Sequence, residues 1–380
     1  MVISVTGDVK PDKIIELEHR LLHQLIVGKS KSSALADELY ADLSVESNKL
    51  EIEREAVRAR MRELHRSEAL YKAVSTQLTA SINKDLEYQL SSAHLVLEHS
   101  NLNAKQILLL DTLYSAQVDL AKIRPLVAQL PWLQRDLINI INSPKFRHRR
   151  PKFADVQVTD LKLVLNYIGI ENLQALIPYF CLRHLMPSGQ SKLMWVTQKL
   201  WRYSIVNTIA TQALAQLHEQ DSAFFYSCSL MSQLGNTCVI GHCAKAFDTT
   251  WGMWLKEASA SRDKTIYDAV MATELPAMDV YQQVLTQSRS LNWQLLELLN
   301  FPQSRLTKTY KSIDTSLTYA DLTDDAKLLA RANCFSHVYL LQEAGNITAE
   351  ERRFMYHYYQ FTEQELIRLK AQNYRKMSLI

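Results

Sequence analysis

An all-α fold is what this sequence predicts, and three observations predict it. Glycine and proline are scarce, at 8 and 9 in 380 residues, so few positions are forced into turns. Leu, Ala, Gln and Glu, all good helix formers, are abundant. Apolar residues recur every three to four positions, the period of a helix face. Apolar residues make up 47% of the chain, enough for a sizeable core and too many for wholesale disorder. The length allows one large domain with a smaller one, or two to three domains. The formal net charge of +3 gives no electrostatic mandate for nucleic acid or an acidic membrane.

The N-terminal 48 residues read as a short strand or coil and two helices. Pro11 suits a first helical turn. Ile14, Leu17, Leu21, Leu22 and Leu25 form one apolar face that Gly28 ends, and Ser33 to Leu43 reads as a second short helix. Gly28-Lys29-Ser30 lacks the upstream glycine and the preceding strand of a phosphate-binding loop, so it is not read as one. The opening MVISVTGDVKPDK has no basic segment followed by an apolar run, so no secretory signal is expected.

Residues 47–98 carry a long helical pattern with almost no breaker. Val57, Met61, Leu64, Tyr71, Val74, Leu78 and Ile82 make a narrow stripe that Glu68 interrupts. Dense charge flanks it. This suits a surface helix packed on the same chain, a helical hairpin, or a coiled-coil seam that would make a homodimer. Arginines 54, 58, 60, 62 and 66 alternate with glutamates, which reads as a solvated face rather than a nucleic-acid patch.

Residues 104–185 are more apolar. Helices are expected over Ile107–Ser115, Val118–Gln129 and Trp132–Asn142. A basic loop, KFRHRRPKF, follows Asn142-Ser143-Pro144. Arg147, Arg149 and Arg150 between two phenylalanines could hold single-stranded nucleic acid by phosphate contact and stacking. A solvated loop or a protein contact is the simpler expectation. Leu161, Val164, Leu165 and Ile168 then form a helix face, Gly169 breaks it, and Leu173, Leu176 and Ile177 resume it.

The centre of the core is expected between Leu200 and Ile240. LWRYSIVNTIATQALAQL and FFYSCSLMSQLGNTCVI are two apolar helices joined by His218-Glu219-Gln220-Asp221. Ile205, Ile209, Ala213 and Leu217 make a core stripe, and Phe224–Leu234 is apolar nearly all round. Gly235-Asn236 reads as a helix stop. Ser232 and Gln233 are polar residues near the end of the most buried helix, so they need partners.

Beyond residue 250 the pattern is helical but less regular until 323–344. There Thr323 suits an N-cap, Asp324 and Asp325 favour the helix dipole, and Gly345 stops the helix. Thr348…Glu351 and Thr362…Glu365 both match the capping box, and each opens a final helix.

Candidate chemistry is sparse. The five cysteines (Cys181, Cys228, Cys238, Cys243 and Cys334) lie mostly in apolar helical context and read as buried free thiols in a reducing cytoplasm. Cys238, His242 and Cys243 lack the second ligand pair of a zinc site. The remaining histidines are scattered and read as surface residues. No nucleophile elbow and no dinucleotide loop is present.

Three stretches, in order, resemble the HDOD domain, a bacterial signalling relative of the HD-type metal phosphohydrolases. INIINSPKF followed after a loop by LKLVLNYIGIENLQALI is similar to the family's asparagine-serine turn, loop and helix with a glycine break. LWRYSIVNTIATQALAQL is similar to the helix that carries the first histidine ligand in HD enzymes. SLMSQLGNTCVI is similar to the helix with the histidine-aspartate pair. At the aligned positions this chain departs from the enzymes. Tyr203 stands for the first histidine, Ser232 and Gln233 for the histidine-aspartate pair, and Asn236 for the following lysine. A further histidine is missing near Ser288. Neutral serine, glutamine and tyrosine are poor ligands for a divalent metal, and without one no water is acidified to attack a phosphate.

The resemblance implies an HDOD-like helical bundle over about 104–305, a helical N-terminal region over 1–103, and a C-terminal extension over 306–380. It implies a non-catalytic cytoplasmic regulator that needs no cofactor. Such a protein captures other signalling proteins (a kinase, a response regulator or a cyclic-nucleotide enzyme) and acts as a scaffold. Two alternatives are a nucleotide-binding or residual phosphohydrolase protein using the old cleft, and a nucleic-acid-associated regulator using the basic loop.

Overall fold

A computed structural model of the chain describes residues 9–28, 51–115, 117–147, 157–187 and 194–375. Every regular element among them is a helix, and among them no helix is long and apolar enough to cross a membrane. The expected helix at Ser33–Leu43 lies outside the described residues.

The N-terminal region holds α1 (Asp12–Ile26), α2 (Glu51–Gln89) and α3 (Ala93–Glu98). In α1 the expected face is buried at Ile14, Leu17, Leu21 and Leu25. Leu21, Leu25 and Ile26 join the main core, whereas Ile14 and Leu17 join a second one with Ala326, Ala330, Val338 and Met355. One helix thus staples two cores. Of the expected stripe of α2, Tyr71 is 40% exposed and the side chains of Val57, Met61 and Leu64 lie outside the described ones, whereas Val74, Leu78 and Ile82 are buried and the stripe continues to Leu86. There α2 lies on α12 (Leu234–Ser261) and α13 (Lys264–Ala272) of the same chain.

The central helices are α4 (Ala104–Leu113), α5 (Leu120–Ala128), α6 (Pro131–Ile141), α7 (Pro144–Arg147), α8 (Leu161–Ile168), α9 (Ile170–Leu185), α10 (Met194–Leu217) and α11 (Ser222–Met231). A capping box of Asn103 and Gln106 opens α4. Pro131 both ends the preceding segment and opens α6 at its first turn, where no backbone N–H is missed. Gly169, at φ +76°, separates α8 from α9 in a conformation that other residues rarely adopt. Asp221 accepts from the Phe224 N–H at 3.0 Å and starts α11.

The chain closes with α14 (Ala277–Gln287), α15 (Leu291–Leu298), α16 (Arg305–Thr315), α17 (Asp324–Glu343), α18 (Ala349–Tyr358) and α19 (Glu363–Lys370). Both expected capping boxes are formed, at Thr348–Glu351 and Thr362–Glu365. Thr323 is the N-cap of α17 in backbone, but its side chain accepts no capping bond. Glu365 is fully buried and accepts from His218 at 2.7 Å and from Arg331. It ties α19 to α17 and to the end of α10.

The core stripe of α10 is buried as expected at Ala213, 2% exposed, but most of it falls one residue later than expected. Val206, Ala210 and Leu214 are fully buried, whereas Ile205, Ile209 and Leu217 are half-buried. The cause is packing from several sides: α11, α17, α19 and α1 all lie on this helix. The expected burial of α11 holds, since Phe224, Phe225, Tyr226, Cys228, Leu230 and Met231 are all inside.

Candidate functional site

The hinge between α11 and α12 is where the peculiar polar residues sit. Helix α11 ends at Met231, and α12 begins at Leu234. Only Ser232 and Gln233 intervene. The expected stop at Gly235-Asn236 is therefore corrected: both residues are helical, and α12 runs on to Ser261. Gly235 serves a close approach instead. A Cβ there would stand 2.5 Å from the Ser288 carbonyl oxygen and 3.2 Å from Leu291 Cβ. Its N–H donates to Asn292 Oδ1 at 2.8 Å. The start of α12 is thereby pinned to the turn before α15, which brings Ser288 to the hinge.

Three of the singled-out residues meet there. Ser232 donates to the Ser229 carbonyl at 2.6 Å. The Gln233 amide nitrogen reaches Ser232 Oγ at 3.5 Å, and Asn236 Nδ2 donates to Gln233 Oε1 at 2.9 Å. Gln233 is 6% exposed, so these bonds satisfy an amide that water hardly reaches. One turn below, Ser229 Oγ donates to Thr208 Oγ1 at 2.9 Å and fixes α11 on α10.

Tyr203 is committed elsewhere. It is 4% exposed, and its hydroxyl shares a 3.1 Å hydrogen bond with His337 Nε2 on α17. Burial pushes its phenol well above the ordinary range. Burial also pushes the His337 imidazole down to about 4, against the pull of Glu18. Glu18 itself accepts from Lys10 at 2.6 Å and from Tyr359 at 2.8 Å. His337 is thus not the surface histidine expected from scattered spacing; its Nδ1 is buried with no partner among the described atoms.

The donor set does not fit a divalent cation. Ser232, Gln233 and Asn236 are neutral and already bonded to one another, and Tyr203 is held protonated. A metal of the HD type needs imidazoles and carboxylates that converge. Cys238, His242 and Cys243 fare no better. His242 Nδ1–H donates to the Cys238 carbonyl at 2.8 Å, and burial pushes both thiols up to about 12. Among the described residues no three His, Cys, Asp or Glu side chains are grouped so as to hold a metal ion.

The basic loop is only partly in view. Arg147 closes α7 in backbone, and Arg149 and Arg150 lie outside the described residues. The base of the loop is clasped by Asn142. Its Nδ2 donates to the Val158 carbonyl at 2.9 Å, and its Oδ1 accepts from the Val158 N–H at 3.0 Å. The asparagine of the asparagine-serine turn therefore closes the loop rather than pointing into a cleft.

A second polar and aromatic surface went unread in the sequence. Phe335 and Tyr339 of α17, Tyr356 of α18, and Tyr374 beyond α19 line a groove of about 410 Å³ with Arg352 and Lys370. The i, i+4 pair of Phe335 and Tyr339 was its one local signal.

Comparison with known proteins places the central region. The family model of the HDOD domain matches residues 104–271. No curated protein matches the chain in sequence. A solved structure from Shewanella amazonensis, provisionally named a metal-dependent phosphohydrolase, superposes with a TM-score of 0.41 at 13% identity. The overlap spans 79% of this chain and 99% of that one.

Proposed function

We propose that this chain, whose residues 104–271 form an HDOD domain, is a non-catalytic scaffold of signal transduction that captures other signalling proteins. The observation that carries this reading is the hydrogen-bonded run of Ser232, Gln233 and Asn236 at the hinge. Neutral side chains that bond to one another in a half-buried turn favour a structural role, because they are poor ligands for a metal that would activate water. Tyr203, neutral and turned to His337, removes the remaining aligned ligand. What the domain then offers is helix faces and grooves, the surfaces by which an all-helical protein recognises a partner segment.

The partner class we propose, by analogy with the family that residues 104–271 match, is a kinase, a response regulator or a cyclic-nucleotide enzyme in the cytoplasm. The test is capture of partners by the tagged full-length protein from its native lysate after nuclease treatment. Stoichiometric recovery of such a protein is expected, and it should survive replacement of Arg147, Arg149 and Arg150 by alanine. Recovery of nucleic acid alone, when nuclease is omitted, would move the function to the basic loop. A parallel assay with Mg²⁺ or Mn²⁺ and a phosphodiester substrate should show no turnover. Metal-dependent hydrolysis abolished by Gln233→Ala would overturn the non-catalytic reading.

A further inference from the structure

We propose that the aromatic groove formed by the C-terminal helices binds a mononucleotide, with the base on the tyrosines and the phosphate on Arg352 and Lys370. The groove lies outside residues 104–271, and the proposal does not depend on the scaffold reading.

Its floor is aromatic. Phe335 and Tyr374 are 3% and 4% exposed, with ring centroids 5.6 Å apart. Tyr339 stands 4.8 Å from Tyr374, and Tyr356 lies nearly parallel to Phe335 at 6.4 Å. Tyr339 and Tyr356 are only half-buried, so this floor keeps ring surface open to the groove. A planar base gains from stacking on such surfaces, and the gain depends little on which base it is.

Its rim is cationic. Arg352 and Lys370 both line the groove. Arg352 donates to the Gln342 amide oxygen at 3.1 Å, a neutral partner that leaves its charge uncompensated. The carboxylate in the lining, Glu343, is taken by Arg202 at 3.0 Å. Arg202 in turn stands 6.0 Å above the Tyr339 ring. Among the described residues neither Arg352 nor Lys370 is ion-paired, and two such cations beside stacked rings fit a ligand that is flat at one end and anionic at the other. Arginine and lysine are the usual phosphate partners. The volume of about 410 Å³ falls in the range of small-molecule sites. A purely acidic peptide would leave the rings unused, and a purely apolar one would bury the two charges without partners.

The experiment is calorimetric titration of the full chain with AMP, UMP, adenosine and inorganic phosphate. Saturable binding of both nucleotides is expected, with adenosine and phosphate each at least about tenfold weaker. Arg352→Ala and Lys370→Ala lie at the rim and should leave the thermal midpoint unchanged while weakening AMP about tenfold. Tyr339→Leu should weaken both nucleotides by a similar factor. Failure of AMP and UMP to saturate at millimolar concentration would overturn the proposal. So would phosphate binding as tightly as AMP, binding untouched by the three substitutions, or binding confined to single-stranded oligonucleotides.

Discussion

The hydroxyl of Tyr203 and Nε2 of His337 are 3.1 Å apart, joining helices whose residues are separated by 134 positions. The bond matters because the other ring nitrogen of His337 is buried without a partner among the described atoms. Replacing Tyr203 by Phe would leave both nitrogens unsatisfied. A buried polar group stripped of its bond costs about 1–3 kcal/mol. Tyr203→Phe is therefore expected to lower stability by that amount in denaturant titration, whereas a change near zero would show that water or a shifted side chain replaces the bond.

His337 should also shape the pH dependence of stability. Its folded imidazole is pushed from its ordinary 6.5 to about 4 by burial. Below about 6.5 the unfolded chain takes up a proton that the folded chain refuses, so stability is full at neutral pH and falls with acidification. The loss levels off near 4, where the folded imidazole also protonates. Burial lowers His184 and His242 too, so the readout is the difference between wild type and His337→Gln. The variant should show a shallower loss between pH 6.5 and 4.5. Identical slopes would mean that His337 titrates in the fold as it does in water.

The hinge makes a sharper demand. Gly235→Ala would drive a Cβ to 2.5 Å from the Ser288 carbonyl oxygen, which is backbone and cannot swing away. The expected cost is about 1–3 kcal/mol, as for other overpacked sites. Asn292→Ala removes the acceptor of the Gly235 N–H and should cost about 1 kcal/mol. The thermal midpoints of the two variants check both numbers.

The five cysteines are free and buried. Burial lifts Cys181, Cys228, Cys238 and Cys243 to about 12, and Cys334 well above its ordinary value. Thiolate is the reactive form. A thiol reagent at neutral pH should therefore find essentially none in the native protein and all five after denaturation. Rapid labelling of a native cysteine would show that its helix opens easily.

What was legible in the sequence is what local chemistry decides. The Thr348 and Thr362 capping boxes are set by residues three apart and formed as read. The burial of α11 followed from its being apolar all round. The misplaced helix stop at Gly235 has a physical cause. Glycine there answers a contact with residue 288, and no left-handed turn is needed. The core face of α10 kept Ala213 but took in Val206, Ala210 and Leu214, because helices distant in sequence cover it from several sides. The hinge polar residues were visible as a puzzle, but their mutual bonds were not. Tyr203 with His337, and the groove of Tyr339, Tyr356 and Tyr374, were out of reach because distant segments bring them together.

The packing of α17 on α10 has a consequence for where this chain can be cut. The match to the HDOD domain ends at residue 271, yet α10 inside it keeps Tyr203 and Asn207 turned to His337 and Ser336 of α17. A chain cut at that boundary would bare this face to water and leave its polar groups without their partners. Helices α17 and α19, which cover α10 in part, thus lie beyond the residues the family model matches. A variant truncated after residue 271 is expected to lose the cover that α17 and α19 give α10.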